Sequence, residues 1–217
     1  MNIQIFTFNA FQENTYLLIG QTGHCIIIDP GMTDPEEDQV LFSYIQSNQL
    51  KPSMVLNTHC HIDHIMGVQA CLDQYHIPFL AHEKERAVID RGGSAALNWN
   101  IPFRGCPYPD RHIDEGEIID LDGFRLEVLF VPGHCPGHLA FVDRSSKFVV
   151  GGDVLFKGSV GRVDLPGCNK QDLIDSVQQK MYALPDDFAV LPGHGEMTTI
   201  GAEKKTNHFI RSTDVSF

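Results

Sequence analysis

Four side chains that could bind a metal lie within six residues of one another in the segment THCHIDH, residues 58–64. They are His59, His61, Asp63 and His64. Imidazole nitrogens and a carboxylate suit zinc, iron or manganese, whereas each polar group buried without a partner would cost about 1–3 kcal/mol. In extended backbone His59 and His61 point to the same side and can bind one ion together. Asp63 and His64 fall in the following turn and can reach a second position, so the segment predicts a metal site.

Three more segments place a single metal-capable residue after a short apolar run and a glycine or proline. They are PGHCPG with His134, GGD with Asp153, and LPGHG with His194. Glycine allows the backbone to turn sharply and to approach a bound ion closely. Loops that leave strands are where α/β folds place their active sites. Four segments built in the same way indicate one convergent site.

The elements that must position these residues alternate between strands and helices. Apolar or alternating runs predict strands at residues 3–8, 15–19, 25–29, 55–58, 79–81, 117–121, 124–131, 139–142, 148–151 and 188–191. Helices are predicted at residues 35–49, 67–75, 83–90, 171–182 and 203–211. The first helix has Asp34 as its N-cap and Pro35 in its first turn. Strand groups with helices outside them predict an α/β sandwich.

Residues 92–110 interrupt this pattern with glycine, proline and the aromatic residues Trp99, Phe103 and Tyr108. We expect an irregular segment, of a length that is uncommon unless the segment is functional or mobile. Two interpretations stay open. The segment either flanks the active site and contacts an apolar part of the substrate, or it is a packed connector whose aromatic rings belong to the core.

Together the motifs resemble those of the metallo-β-lactamase superfamily, namely HxHxDH, a PGHTPG-like loop, a GD step and a late GH. The resemblance extends from DPG at residues 29–31 to the GH motif at residues 193–194 and the Gly195 that follows it. The stretches GDVLF and GSVGRVD, within residues 152–164, are most similar to the short single-domain hydrolases of the glyoxalase-II-like branch. The resemblance implies a four-layer αββα sandwich as one domain over residues 1–217. It also implies that the C-terminal helical domain, which contacts glutathione in two-domain glyoxalase II enzymes, is missing here.

The same resemblance implies a binuclear centre and assigns its ligands residue by residue. The first ion would be bound by His59, His61 and His134, the second by Asp63, His64 and His194, with Asp153 bridging both. Two divalent ions, expected to be zinc with iron or manganese as alternatives, would share a bridging hydroxide as nucleophile, so Asp63 and Asp153 count as catalytic residues. The leading expected reaction is hydrolysis of a small acyl thioester such as S-lactoylglutathione. No serine or cysteine nucleophile is needed, because thiols ionise at a pKa of about 8.5 and leave readily.

Other reactions remain open on the same scaffold. A lactonase or a phosphodiester hydrolase would use a similar ligand set. A β-lactamase is disfavoured, because those enzymes resemble one another in having a residue other than aspartate at the position of Asp153. A mononuclear iron persulfide dioxygenase shares the GRxD step at residues 161–164, and two metals per chain would argue against that oxidoreductase.

The composition favours an enzyme that acts on a small molecule over a protein that binds nucleic acid or a membrane. The net charge is −12 and no basic run occurs, which argues against a nucleic-acid surface. No stretch approaches the roughly 20 apolar residues of a membrane span. The N-terminal residues alternate like a first strand rather than a signal peptide, so we expect a cytoplasmic location. Six cysteines without a CxxC pair are expected to be reduced, and the oligomeric state is not predicted.

Residues around the expected ligands invite structural assignments. We expect Asp29 to accept hydrogen bonds near the metal loop. His138 either holds a metal ligand in place, donates to the substrate, or is an ordinary core or surface histidine. Arg162 and Asp164 are expected to pair with each other or to hydrogen-bond a loop near Asp153, rather than to contact substrate. Lys157 is expected to be a solvated lysine, with an anionic substrate group as its alternative partner.

Overall fold

The computed structural model describes residues 2–211, which form two six-stranded sheets, a two-stranded hairpin and several helices. These residues divide into two compact units. One extends to Ile113 and also includes Asp120–Phe124, and the other consists of Asp114–Ile119 and the residues from Arg125 onward. No helix within residues 2–211 is long and apolar enough to cross a membrane.

The first unit contains one of the six-stranded sheets. Its elements are β1 (Asn2–Phe8), β2 (Glu13–Ile19), β3 (His24–Ile28), α1 (Pro35–Ser47), β4 (Lys51–Leu56), α2 (Ile62–Ile65), α3 (Val68–Tyr75), β5 (Phe79–Ala81), a 3₁₀ turn (Glu83–Glu85), α4 (Arg86–Ile89), α5 (Gly92–Trp99) and β6 (Arg111–His112). The strands lie in sequence order, antiparallel from β1 to β3 and parallel from β3 to β6. The carboxyl ends of the parallel strands share one edge, where the HxHxDH loop follows β4.

Helix α1 begins where the sequence predicted. Asp34 is its N-cap, and the carboxylate accepts two backbone N–H groups of the first turn, each at 2.9 Å. Pro35 occupies the first position, where its missing N–H costs no hydrogen bond. The helix ends at Ser47, slightly before the predicted end, with Asn48 as the C-cap.

The first part of residues 92–110 is helical, which corrects the expectation of an irregular segment. Helix α5 covers Gly92–Trp99 and ends at Asn100, whose φ of 51° is left-handed. The glycines at its start obscured the pattern, but the alanine and leucine residues after them are strong helix formers. Ala96 packs in a buried cluster with Ile62 of α2, so tertiary burial reinforces that preference. The rest of the segment is irregular, as predicted.

Arg104 ties the irregular part of this segment to α1. Its guanidinium donates to both carboxylate oxygens of Asp38 and, at 2.9 Å, to the carbonyl oxygen of Met32. Asp38 is buried on α1, so water and salt screen this ion pair less than one at the surface. These contacts pack this part of the segment against α1, but Trp99 and Tyr108 are exposed and do not belong to the core as the packed-connector interpretation required.

We expect Arg104→Ala to lower the free energy of unfolding by about 1–3 kcal/mol, because the buried Asp38 carboxylate loses its charged donor. Arg144→Ala is the matched control. It removes a more exposed ion pair with Glu127 and should cost less than about 1 kcal/mol. Thermal denaturation of both variants measures the difference, and equal melting temperatures would contradict the role assigned to Arg104.

The second unit contains most of the other six-stranded sheet. The remaining elements of the chain are β7 (Ile118–Leu121), β8 (Phe124–Phe130), β9 (Leu139–Asp143), β10 (Phe148–Gly152), β11 (Leu155–Phe156), β12 (Ser159–Val160), α6 (Lys170–Asp175), a π-helical turn (Ser176–Met181), β13 (Ala189–Pro192), β14 (Thr198–Thr199) and α7 (Ile200–Thr206). The strand order β14-β13-β10-β9-β8-β7 places β10 and β13 side by side, and these two strands are parallel. Their carboxyl ends therefore share one edge, from which Asp153 and His194 follow.

Helix α7 lies earlier in the chain than predicted, at Ile200–Thr206 rather than at residues 203–211. Thr199 caps its start, because the hydroxyl oxygen accepts a backbone N–H of the first turn at 3.2 Å. Asn207 ends it, because the side-chain oxygen accepts the N–H groups of the second and third residues that follow. Local side-chain hydrogen bonds thus decide both ends of the helix.

Candidate metal centre

In the first unit the HxHxDH loop leaves β4 and turns into the single-turn helix α2. His61 is the N-cap of α2, with extended backbone, and Asp63 and His64 lie within the helix. The ring centroid of His59 is 4.9 Å from that of His61 and 4.1 Å from that of His64. His59 and His64 are buried, whereas His61 and Asp63 are partly exposed. This unit therefore brings the three imidazoles of the motif together.

Asp29 is a hydrogen-bond acceptor behind this cluster, as predicted. One carboxylate oxygen accepts the Thr58 N–H at 2.7 Å, and the other accepts the Thr58 hydroxyl and lies 3.1 Å from His64 Nδ1. A carboxylate at Nδ1 favours the tautomer with its proton there, which leaves the lone pair of Nε2 for a metal. That Nε2 lies 3.7 Å from Oδ2 of Asp63.

Glu13 is a second carboxylate near His64, and sequence reasoning missed it. Its Oε2 accepts the Thr15 hydroxyl at 2.9 Å, and its Oε1 lies 3.8 Å from His64 Nδ1. Burial raises the pKa of Glu13 well above its ordinary value, although the nearby His64 opposes that rise. No signal in the sequence marked it. Glu13 opens a strand together with Asn14 and Thr15, and only the structure shows that all three residues are buried.

In the second unit three of the predicted ligands meet. His134 follows β8, Asp153 follows β10 and His194 follows β13. Oδ2 of Asp153 lies 3.5 Å from His134 Nε2 and 3.6 Å from His194 Nε2. Nδ1 of His134 lies 2.9 Å from the carbonyl oxygen of Arg162 and so carries the ring proton. This leaves Nε2 of His134 as the atom that can bind a metal.

The donor atoms in each unit fit a divalent metal. Ligand atoms bound to one ion at about 2.0–2.2 Å in a tetrahedral arrangement lie about 3.3–3.6 Å apart. A direct N–H···O hydrogen bond would bring the same atoms to about 2.7–3.2 Å. The nitrogen–oxygen separations of 3.5, 3.6 and 3.7 Å match the first arrangement better. One oxygen of Asp153 has this spacing to both His134 and His194, so these three side chains could take part in binding metal.

His138 contacts the backbone of Asp153, which favours the role of holding a metal ligand in place over that of an ordinary core histidine. Its buried Nε2 accepts the backbone N–H of Asp153 at 3.1 Å. Arg162 and Asp164 form the predicted pair with each other, through two hydrogen bonds of 2.7 and 2.9 Å. Lys157 is an exposed lysine, as predicted, and pairs with a surface glutamate.

The structure contains no disulfide among the six cysteines, all of which lie within the described residues. Cys60 lies between two predicted ligands and is buried. Burial and the nearby Glu85 raise the pKa of the Cys60 thiol well above its ordinary value. A thiol that stays protonated is a poor nucleophile, so Cys60 is not suited to attack a substrate.

Comparison with known proteins decides the family. The family model of the metallo-β-lactamase superfamily matches residues 8–194. The chain belongs to this superfamily. Hydroxyacylglutathione hydrolase GloC of Haemophilus influenzae is 36% identical to it over 214 residues, which are 98% of this chain and 99% of that protein.

Solved structures of similar proteins agree with this assignment. The B3 metallo-β-lactamase BLEG-1 matches with a TM-score of 0.87 and 31% identity, over 95% of this chain and 98% of that chain. TTHA1623, solved in a di-iron-bound form, matches with a TM-score of 0.85 and 36% identity, over 94% and 98%. The predicted fold class, the α/β metallo-β-lactamase fold, is therefore confirmed. Family membership and the names of relatives indicate a metallo-hydrolase, whose fold implies that divalent metal is bound by its histidine and aspartate clusters.

Proposed function

We propose that this metallo-hydrolase is a binuclear thioesterase of glyoxalase II type, acting on S-lactoylglutathione or a related small acyl thioester. One ion would be bound by His59, His61 and His134, the other by Asp63, His64 and His194, with Asp153 shared between them.

The observation that carries this proposal is the position of Asp153. Its Oδ2 has the spacing of a metal ligand to both His134 and His194, which the proposal assigns to different ions. A carboxylate oxygen this close to both histidines is what a ligand shared by two ions requires.

When bound, two divalent ions would supply an activated water at neutral pH and would polarise the carbonyl group of the substrate. The chain's own contribution is to hold the ligands in the required protonation state and position. Asp29 keeps the proton of His64 on Nδ1, and a backbone carbonyl does the same for His134. His138 fixes the backbone of Asp153. The departing thiolate needs no general acid, because thiols ionise at a pKa of about 8.5.

The choice of a thioester is supported by the relative GloC, which is named a hydroxyacylglutathione hydrolase and which this chain matches over nearly its whole length. The similarity to BLEG-1 supports a β-lactam as the second candidate substrate. Zinc is the metal we propose, and the di-iron form of TTHA1623 supports iron as the alternative.

Steady-state hydrolysis of S-D-lactoylglutathione by protein of measured metal content tests this function. We expect a kcat/KM of about 10⁴ M⁻¹ s⁻¹ or more, as is ordinary for an enzyme on its own substrate. His59→Ala removes a metal ligand and should abolish the activity. Nitrocefin, an N-acyl homoserine lactone and bis-p-nitrophenyl phosphate, assayed in parallel, represent the competing hydrolases. A higher kcat/KM for any of these three than for the thioester would contradict the proposed substrate.

A further inference from the structure

We propose that Asn9 and Asn57 are positioning residues that pre-form the metal-ligand loop. We call these two residues the amide clamp. Each donates from its side-chain amide to main-chain carbonyl oxygens of the HxHxDH loop. The inference deepens the proposed function and rests on its assignment of the ligands.

Asn57 connects the first ligand of the loop to the last. Its Nδ2 donates to the carbonyl oxygen of His59 at 3.1 Å and to that of His64 at 2.8 Å. Asn57 is fully buried immediately after β4, and its own backbone N–H donates to the carbonyl oxygen of Leu80 at 3.0 Å. Because the donor is itself fixed in the sheet, it sets the separation of these two ligand backbones.

Asn9 holds the backbone of a third ligand. Its Nδ2 donates to the carbonyl oxygens of Asp63 at 3.0 Å and Gly31 at 2.9 Å. Its Oδ1 accepts the N–H of Phe11 at 2.9 Å, and its backbone N–H donates to Glu37 at 2.8 Å. The φ of Asn9 is 54°, a left-handed conformation that asparagine adopts more readily than most residues. Asn9 is therefore held on several sides while it bridges two segments of the chain.

The clamp can work at this short range because Gly31 has no side chain. A Cβ atom at Gly31 would lie 2.7 Å from the carbonyl oxygen of Asp63 and 2.9 Å from Nδ2 of Asn9. It would also lie 2.1 Å from Oε2 of Glu13. Any larger residue would have to displace the loop from the clamp.

The two clamp residues act on different parts of the proposed centre. The carbonyls that Asn57 binds belong to His59 and His64, which the proposal assigns to different ions. Asn9 binds the carbonyl of only one ligand, Asp63, which belongs to the second ion. Ligands that are held in place before the metal binds lose less conformational freedom on binding. Loss of a clamp residue should therefore lower the affinity for the ions whose ligands it holds. A merely structural role would not distinguish between the ions.

Titration of metal-free protein with zinc against a chelating dye measures both affinities. We expect Asn9→Gly to lower the affinity for one ion by about 10–100-fold, since glycine tolerates the left-handed backbone at this position. We expect Asn57→Ala to lower the affinity for both ions by a similar factor. Asn48→Ala is the matched control, because this exposed amide donates to a carbonyl at the end of α1 and should leave both affinities unchanged. If circular dichroism finds metal-free Asn57→Ala unfolded, Asn57→Ser keeps one donor and should show a smaller loss at both ions.

Wild-type affinity for both ions in Asn9→Gly and in the folded Asn57 variant would overturn the clamp. An equal loss of both ions in Asn9→Gly would overturn it as well. Neither result touches the thioesterase proposal, because all seven proposed ligands remain. A wild-type protein that binds a single ion would instead contradict the binuclear function. The clamp would then be supported if the Asn57 variant binds that ion more weakly than the wild type, and refuted if it binds it equally well.

Discussion

Asp153→Ala is expected to lower kcat/KM for the thioester by roughly 10³-fold and to release one of the two bound ions. Loss of a metal that polarises the substrate costs several kcal/mol, and each 1.36 kcal/mol is about tenfold in rate. Asp153 is buried, and its contact with His138 is made by its backbone N–H, which the substitution keeps. The expected loss therefore reports on the carboxylate itself.

Asp164→Ala is the control for this prediction. Asp164 is an exposed carboxylate whose partner is Arg162, and its removal should change kcat/KM by no more than about threefold. Steady-state kinetics and metal analysis of both variants make the comparison. Full activity in Asp153→Ala would refute the two-metal assignment.

A similarly large effect is expected from Gly161→Ala, a change of one methyl group. A Cβ atom at Gly161 would lie 2.0 Å from the carbonyl oxygen of Asp153 and 3.0 Å from Cβ of His134. The nearest of these atoms is main chain and cannot turn aside as a flexible side chain can, so the proposed ligands must shift. A misplacement of about 1 Å can cost on the order of 100-fold in rate, and overpacking costs about 1–3 kcal/mol in stability. We expect kcat/KM to fall about 100-fold, together with a lower melting temperature.

Gly93→Ala controls for the loss of a glycine as such. A Cβ atom at Gly93 would meet nothing within 4 Å, and the residue lies in α5, where alanine is the better helix former by about 0.5–1 kcal/mol. Its kinetics should match the wild type and its melting temperature should be equal or higher. Gly161→Ala with the same kinetics as Gly93→Ala would mean that the close approach of Gly161 to Asp153 and His134 is not needed for activity.

The candidate ligands could be predicted from the sequence because the information that marks them is local. The spacing of His59 and His61 and the glycine before Asp153 are visible within a few residues. The fold class follows from the same motifs and is confirmed by the superfamily match. The assignment of each ligand to one of two ions stays a prediction.

Features that the sequence did not reveal depend on contacts between distant segments. Asn9 and Asp63 are 54 residues apart, and nothing in the residues around Asn9 marks it as a partner of the metal loop. Glu13 is hidden for the same reason, because its neighbour His64 belongs to a different segment. Helix α5 escaped prediction because the burial of Ala96 in the cluster with Ile62 supplies what its glycine-rich start lacks.

Thioester hydrolysis during a titration of metal-free protein with zinc tests the central claim most directly. We expect the rate with S-D-lactoylglutathione to rise until two equivalents of zinc are bound per chain, and to fall again when a chelator removes them. A rate that is complete at one equivalent, or one that does not depend on metal, would contradict a binuclear thioesterase.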